Sequence, residues 1–255
     1  MTATPAGITY ADYLKLDELL GAQQPLSGLH DEMLFIVIHQ TKELWMKQML
    51  HELELAVPFV EADHFAEAYK ALARISRIQS VMTLSWDVLS TLTPVDYLAF
   101  RGVLGTSSGF QSAQFREFEF RLGLKNAEYL QYHAQGGEDR RRLELALEQP
   151  SLRDASLGAL ERAGFDLGDR SVEAVAAAWL EVYRDSERWF DHYQLAEKLV
   201  DLDDAMAAWR HKHVLTVERI IGNKTGTGGS AGASYLRSTL DKRIFPELWA
   251  LRTDL

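Results

Sequence analysis

The sequence predicts an all-α fold, and three observations carry this prediction. Prolines are few, so the stretches 59–93, 95–149 and 151–245 contain none of these helix breakers. Apolar residues recur at helical spacing along much of the chain. No segment alternates apolar and polar residues between turn signals, as a half-buried strand would. We therefore expect long helices and no sheet.

Four helical segments follow from the periodicity. The first begins near residue 34, residues 66–93 repeat the pattern, and residues 171–198 and 203–221 indicate two more helices. Glycine-containing breaks fall at 102–109 and at 222–232, and residues 134–140 resemble an exposed connection. Since no repeat or linker divides the chain, residues 1–255 are predicted to form a single domain.

Composition narrows the class of protein. The 255 residues carry a formal net charge of -10 and no cysteine, which excludes a disulfide scaffold, a thiolate zinc site, an iron–sulfur cluster and a cysteine nucleophile. No apolar run approaches the roughly 18–20 residues of a membrane-spanning helix, and residues 1–9 lack the features of a signal peptide. Basic residues form no stripe beyond 140–142. We expect a cytoplasmic protein with neither a nucleic-acid nor a membrane partner.

The glycine-rich loop at 222–232 fits neither common nucleotide motif. Lys224 precedes the glycine cluster, whereas a Walker A lysine follows its last glycine. The upstream segment is helical in pattern, whereas a dinucleotide fingerprint follows a strand. Two interpretations stay open: a flexible surface loop, or a loop that folds over a small ligand and offers the Thr227 hydroxyl.

The eight histidines raise the question of a metal site. Glu61 and His64 match half of a di-iron pattern, but the second half is missing. His211 and His213 point about 200° apart on one helix, so at most one of them binds a given ion. A single histidine ligand from a helix is typical of haem; a surface or capping histidine is the alternative.

His39 and Arg101 each follow an apolar run. His39 is therefore either a hydrogen-bonded core histidine or a pocket residue that acts as an acid, a base or an acceptor. Arg101 either pairs with a carboxylate such as Asp96 or Glu117, or binds the carboxylate of a ligand. The tryptophans lie at helical spacing and are core residues by default.

Taken together, several separated motifs resemble the tryptophan 2,3-dioxygenase family. The motifs, in order, are YADYL at 10–14, HDEMLFIVIHQTKELW at 30–45, FR at 100–101 with SSGFQS at 107–112, WRHKH at 209–213 with VER at 217–219, GTGG at 226–229 and YLRST at 235–239. The resemblance covers nearly the whole chain. Ala11 departs from it, since relatives usually have glycine there, and the chain is short for the family.

The resemblance implies a helical homotetramer with one haem b in each subunit. It implies a dioxygenase that adds both atoms of O2 across the indole C2–C3 bond of L-tryptophan and yields N-formyl-L-kynurenine, the first step of tryptophan catabolism. On this basis His213 is expected to be the axial ligand of the haem iron, and Trp86 and Ser108 to lie beside the haem.

The same resemblance implies the substrate pocket. His39 is expected to accept a hydrogen bond from the indole N–H, Arg101 to bind the carboxylate, and Thr227 to hold the polar end of the amino acid. The expected lining residues are Phe35, Ile36, Val37, Ile38, His39, Tyr97 and Leu104. Tyr10 and Tyr13, in a segment spanning 7–24, are expected to reach the active site of a neighbouring subunit.

Two other functions stay open. One is an enzyme of this family that acts on a substituted tryptophan, including a variant that inserts a single oxygen. The other is a haem or tryptophan sensor without turnover, which the pairing of Arg101 with Thr227 disfavours.

Overall fold

The computed structural model describes residues 7–255, and within this range it contains twelve α-helices and no strand. The all-α prediction is therefore confirmed. Short 3-10 segments lie at Arg101–Leu104, Gly109–Gln111, Ala127–Tyr132 and Leu251–Thr253. The helices are α1 (Tyr10–Leu14), α2 (Leu16–Gly21), α3 (His30–Glu61), α4 (Phe65–Leu89), α5 (Pro94–Phe100), α6 (Ala113–Leu122), α7 (Glu138–Glu148), α8 (Leu152–Arg162), α9 (Val172–Arg184), α10 (Phe190–Ile221), α11 (Ala233–Arg237) and α12 (Pro246–Ala250).

The long helices α3, α4 and α10 form the centre of the molecule, with α4 packed against both of the others. Their apolar stripes meet in a large core that α6, α8, α9 and α12 complete. Leu53, Ile75, Trp179 and Leu199 are almost inaccessible to water there. Each fully buried aliphatic side chain of this size stabilises the fold by about 1.5–3 kcal/mol.

A second, smaller apolar cluster lies where the start of α3, the end of α4, α5 and the end of α10 converge. Thr93 begins α5 by accepting a hydrogen bond from the backbone N–H of Asp96, and Pro94 occupies the first turn, where no donor is needed. The buried members of this cluster are Ile38, Trp86, Leu89, Leu92, Tyr97, Phe100 and Ile220.

Two helix boundaries differ from the prediction. The chain leaves the helix at residues 185–189 and then continues unbroken through α10, so the boundary predicted between 198 and 203 is wrong. Leu199 and Leu202 are buried and favour an unbroken helix, whereas Asp185 and Ser186 compete for backbone hydrogen bonds. Helix α3 passes through Pro58 within its last turn, and Pro58 is itself exposed.

The C-terminal segment is attached to α10 through Asp203, whose side chain is fully buried. Its carboxylate accepts hydrogen bonds from the backbone N–H of Ile244 (3.0 Å) and Phe245 (3.1 Å) and from Trp249 Nε1 (2.9 Å). The buried carboxylate of Asp203 therefore has the hydrogen-bond partners that a buried charge requires.

The N-terminal helices α1 and α2 bury no residue of their own. Gln23 Nε2 donates to Gln40 Oε1 at 2.6 Å and attaches the end of α2 to α3. Within residues 7–255 we find no helix whose length and apolarity would let it cross a membrane.

Candidate active site

His39 lies on the inner side of α3, among aromatic rings. The Phe35 ring is centred 4.2 Å from the His39 ring, and it also contacts Tyr97 and Phe100 at 5.8 and 5.7 Å. Phe35 and His39 share a face because they are one helical turn apart. The pocket wall on this side is therefore apolar except for one imidazole.

The tautomer of His39 follows from its hydrogen bond. Its Nδ1 lies 2.7 Å from the carbonyl oxygen of Phe35, which can only accept, so Nδ1 carries the proton. Burial, together with a smaller effect of the nearby Lys42 charge, lowers the pKa of His39 to about 4. At neutral pH the ring is uncharged, and Nε2 is free to accept a hydrogen bond from a ligand.

His213 approaches the same region from α10. Its ring stacks on Trp86 with centroids 4.4 Å apart and planes inclined by 11°, and Trp209 lies 5.1 Å away. Burial lowers the pKa of His213 to about 3, so this imidazole is also neutral. His211 instead is exposed and bonds the carbonyl of Ala207, which leaves His213 as the ligand candidate of the pair.

Three buried donors around His213 have no hydrogen-bond partner within residues 7–255. They are Lys42 Nζ, Trp86 Nε1 and Trp209 Nε1. The Lys42 ammonium lies 2.8 Å from the centroid of a Trp86 ring, and the Trp86 and Trp209 rings are 5.6 Å apart. Buried donors are normally paired, so this cluster indicates room for a group that carries acceptors. Sequence reasoning missed Lys42; its position one turn after His39 was the available signal.

Arg101 follows α5 and contacts the glycine-rich loop. Its guanidinium donates to the carbonyl of Thr225 and approaches the buried Tyr97 hydroxyl, where burial raises the pKa of Tyr97. Neither predicted carboxylate pairs with it: Asp96 bonds the hydroxyl of Thr93, and Glu117 binds Arg121 of its own helix and Arg142 of α7. The structure therefore favours the alternative in which Arg101 binds a ligand.

The glycine-rich loop closes over the segment that carries Ser108. Thr227 Oγ1 donates to the carbonyl of Ser107 at 2.5 Å. A Cβ on Gly228 would lie 2.6 Å from Ser108 Cβ, so only glycine allows this approach. Gly232 has a φ of +59°, and its Cβ would lie 2.4 Å from the carbonyl oxygen of Lys224. Of the two interpretations of this loop, the one that covers a site agrees better with these contacts.

Not all predicted pocket residues meet. Ile38 belongs to the apolar cluster, with Leu104 packed against it, but Val37 is 38% exposed on the far side of α3 from His39. Five consecutive helical residues cannot face one pocket, since successive side chains are about 100° apart; Ile36 is only half-buried. Tyr10 and Tyr13 are 75% and 73% exposed and lie outside this chain's pocket.

Metal binding by protein side chains alone has no support in the described part of the chain. There, no group of three or more histidine, aspartate or glutamate side chains could hold an ion. The second Glu-x-x-His segment that a di-iron site would need beside His64 is missing, and neither His64 nor His213 belongs to a ligand group of the described residues. A single imidazole suits a metal whose other ligands come from a cofactor.

Comparison with known proteins decides the family. The model of the tryptophan 2,3-dioxygenase family matches residues 1–171 and 166–255. A tryptophan 2,3-dioxygenase of Caulobacter vibrioides is 59% identical, with 97% of this chain and 98% of the relative covered. Those of a Polaromonas species and of Bacillus thuringiensis are 53% and 51% identical; each comparison covers 97% of this chain, and 88% and 93% of the respective relative.

The chain belongs to the tryptophan 2,3-dioxygenase family.

This membership confirms the resemblance drawn from the motifs, and the chain is a dioxygenase of the oxidoreductase class. The roles expected of single residues in the tryptophan 2,3-dioxygenase pocket stay predictions, which the contacts above support to different degrees.

Proposed function

We propose that this protein binds haem b through His213 and oxidises L-tryptophan with O2 to N-formyl-L-kynurenine. Both oxygen atoms enter the product as the indole C2–C3 bond breaks. The observation that carries the proposal is the convergence of two neutral, partly buried imidazoles, His39 from α3 and His213 from α10, on one aromatic pocket beside Arg101.

The donor set around His213 fits a haem. A neutral imidazole is the form that ligates iron, and no hydrogen bond within residues 7–255 occupies the His213 ring. The unpaired donors of Lys42, Trp86 and Trp209 suit a large flat group with acceptors at its edge. When bound, haem would supply the activation of dioxygen, which no side chain of this protein can provide.

His39 orients the substrate in this proposal. Its Nδ1–H is held by the carbonyl of Phe35, so the lone pair on Nε2 is available to accept the indole N–H. One such bond fixes which edge of the indole faces the cofactor, and Phe35 and Tyr97 exclude water around it. We assign His39 to orientation before proton transfer.

Arg101 and Thr227 hold the amino-acid end of the substrate. A guanidinium binds a carboxylate through two parallel hydrogen bonds, and in this chain no carboxylate of the described residues already occupies Arg101. Thr227 belongs to the loop that closes over Ser107 and Ser108, so substrate binding and loop closure are coupled.

A homotetramer completes the proposed site. Tyr10 and Tyr13 stand on α1, which buries nothing within its own chain, and ordering so exposed a segment requires a partner. The 7–24 segment would place these rings at the pocket entrance of a neighbouring subunit. Light scattering of the purified protein measures the subunit number directly.

The deciding experiment is the product mass after the reduced, haem-loaded protein meets L-tryptophan and isotopically labelled dioxygen. Two labelled atoms in one product molecule support the proposal. One labelled atom indicates the monooxygenase variant. Turnover confined to substituted tryptophans indicates that one of these, rather than L-tryptophan, is the substrate. Haem binding without product from any of them indicates the sensor.

A further inference from the structure

The short helix α11 follows the glycine-rich loop directly and buries only one residue, Ala233. A helix of five residues is not stable by itself, so contacts with other segments must hold it in place. Tyr235 supplies such a contact. Its hydroxyl lies 3.0 Å from the hydroxyl of Tyr129, and the two groups share a hydrogen bond. The position of α11, and with it the end of the loop, therefore depends on this bond.

Tyr129 is the firmly held partner of this pair. It is buried, and the guanidinium of Arg116 lies 3.9 Å from the centre of its ring. Arg116 Nη1 lies 2.5 Å from Glu119 Oε2, and Arg210 Nη2 of α10 lies 3.0 Å from Glu119 Oε1. Since all three charged side chains are buried and have ion-pair partners, they give Tyr129 a support that α6 and α10 hold in place.

The same two tyrosines contact the segment on which the loop closes. The Phe110 ring is centred 4.7 Å from the Tyr235 ring and 6.2 Å from the Tyr129 ring. Phe110 comes shortly after residues 107–108, where the carbonyl of residue 107 accepts the hydrogen bond from Thr227. One aromatic cluster therefore holds both the far end of the loop and the segment that the loop covers.

The other polar attachment of α11 is weaker. Arg237 forms an ion pair with Glu218 of α10, but its side chain is 53% exposed, and ion pairs so close to water contribute little to stability. The bond between the tyrosines is better protected. Burial and the neighbouring Tyr129 raise the pKa of Tyr235, so its hydroxyl stays protonated and able to donate at neutral pH.

We propose that the hydrogen bond between Tyr129 and Tyr235 positions the glycine-rich loop for substrate binding, so that both tyrosines are positioning residues for tryptophan. The inference rests on the proposed function, because it assumes that Thr227 of this loop binds the amino-acid end of the substrate. Without the bond, α11 and the loop leave the closed arrangement more often. Apparent affinity for tryptophan falls with the closed fraction, whereas saturating tryptophan restores the closed form.

Steady-state kinetics of the haem-loaded protein test this role. Tyr235→Phe and Tyr129→Phe each remove one hydroxyl and should raise the KM for L-tryptophan about threefold to tenfold, while kcat stays within about twofold. The double variant should have the KM of a single variant, because the bond is already absent. Tyr132→Phe is the matched control and should keep the parent KM: this ring packs 5.1 Å from Phe110 but is 47% exposed.

Trypsin gives a readout in the apoprotein that does not depend on activity. It cleaves after lysine, and the loop contains the exposed Lys224. Cleavage after Lys224, followed by mass spectrometry, should be about threefold to tenfold faster in Tyr235→Phe than in the parent protein. Cleavage after exposed Lys70 of α4 should keep the parent rate. Equal acceleration at both sites would show general destabilisation and overturn the inference.

Several outcomes separate this inference from the proposed function. An unchanged KM in both single variants, additive effects in the double variant, or a fall in kcat at constant KM overturns the positioning role but leaves tryptophan oxidation intact. An equal effect of Tyr132→Phe overturns it also. Absence of turnover in the haem-loaded parent protein would instead remove the proposed function, and the trypsin rates would still decide whether the bond holds the loop.

Discussion

Helix α10 contains two kinds of buried polar group. Asp203 and Arg210 are paired throughout: Asp203 accepts from three N–H groups, and Arg210 donates to Glu119 at 3.0 Å and to the carbonyl of Lys242 at 2.7 Å. Trp209 and His213, on the same helix, have no hydrogen-bond partner in the described part of the chain. Completed networks hold the fold together, whereas the unpaired Trp209 and His213 lie side by side at the candidate site.

The two kinds of group should respond differently to substitution. Changes at Asp203 should alter stability and spare the site in the molecules that remain folded. Changes at His213 or Arg101 should spare stability and alter binding. Four predictions test this contrast, from the largest expected effect to the smallest, and a fifth concerns the stability of the apoprotein.

His213→Ala should have the largest effect. Removing a residue that hydrogen-bonds a metal ligand typically lowers metal affinity or activity about 10–100-fold. Loss of the ligand itself should therefore reduce turnover by more than about a hundredfold. The Soret band should vanish or shift, while circular dichroism and melting of the apoprotein stay near the parent values. His211→Ala is the matched control, because its exposed ring bonds only Ala207. Normal ligation in His213→Ala would refute the assignment.

Asp203→Ala should lower stability rather than ligand binding. It leaves the N–H groups of Ile244, Phe245 and Trp249 buried without their acceptor, for a loss of about 3–5 kcal/mol. Urea denaturation of the apoprotein measures this, with exposed Asp201→Ala as control. If haem affinity of the folded fraction fell while stability did not, the contrast within α10 would be wrong.

Arg101→Ala should keep the haem and lose the substrate. Removing the charged partner of a bound carboxylate costs about 2–5 kcal/mol of binding free energy, so kcat/KM for L-tryptophan should fall by at least about thirtyfold. The Soret spectrum of the substrate-free protein should not change. Arg219→Ala is a suitable control, since this exposed arginine donates to the carbonyl of Ser90. Unchanged tryptophan affinity would remove Arg101 from the site.

The smallest expected effect is a flat pH profile. Burial lowers the pKa of His39 to about 4, below its ordinary value of 6.5, so the ring stays neutral and able to accept as pH falls from 8 to 5. The KM for tryptophan should therefore vary little across that range and rise only as pH approaches about 4. His39→Asn, which does not titrate, provides the reference. An inflection near 6.5 in the ratio of the two KM values would contradict the neutral, buried ring.

Apoprotein stability should carry the same signature. The folded-state pKa of His39 lies below the unfolded one, so the unfolded chain binds the proton first as pH falls below about 6.5. The contribution of neutral His39 to the free energy of unfolding is therefore fully present above about pH 6.5 and is lost as the pH falls from about 6.5 to about 4.

Much of the fold could be predicted because helical periodicity is a local property. Prolines and the apolar stripes predicted α3 and α4 within a few residues, since each side chain's distance from the core depends on its position in the helical turn. The continuity of α10 through residues 198–203 was missed because burial of Leu199 and Leu202, far along the chain from their packing partners, outweighs local preference.

The site shows the same division. The motifs predict His39, Arg101, His213 and the glycine-rich loop as parts of the site, and their roles stay predictions. The pairing of Asp96 with Thr93 is local, but the pairing of Glu117 with Arg142 of α7 depends on tertiary packing, so local sequence could not exclude Glu117 as the partner of Arg101.

The sequence by itself determined the helical class, the family and the residue types that can perform the chemistry, because periodicity and motif spacing are written in the order of residues. Only the tertiary structure decided which polar groups are paired. The neutral state of His39, the isolation of Val37 on the far side of α3 and the unpaired ammonium of Lys42 depend on burial and on neighbours from other helices. Desolvation and hydrogen bonding act between segments that meet only after folding.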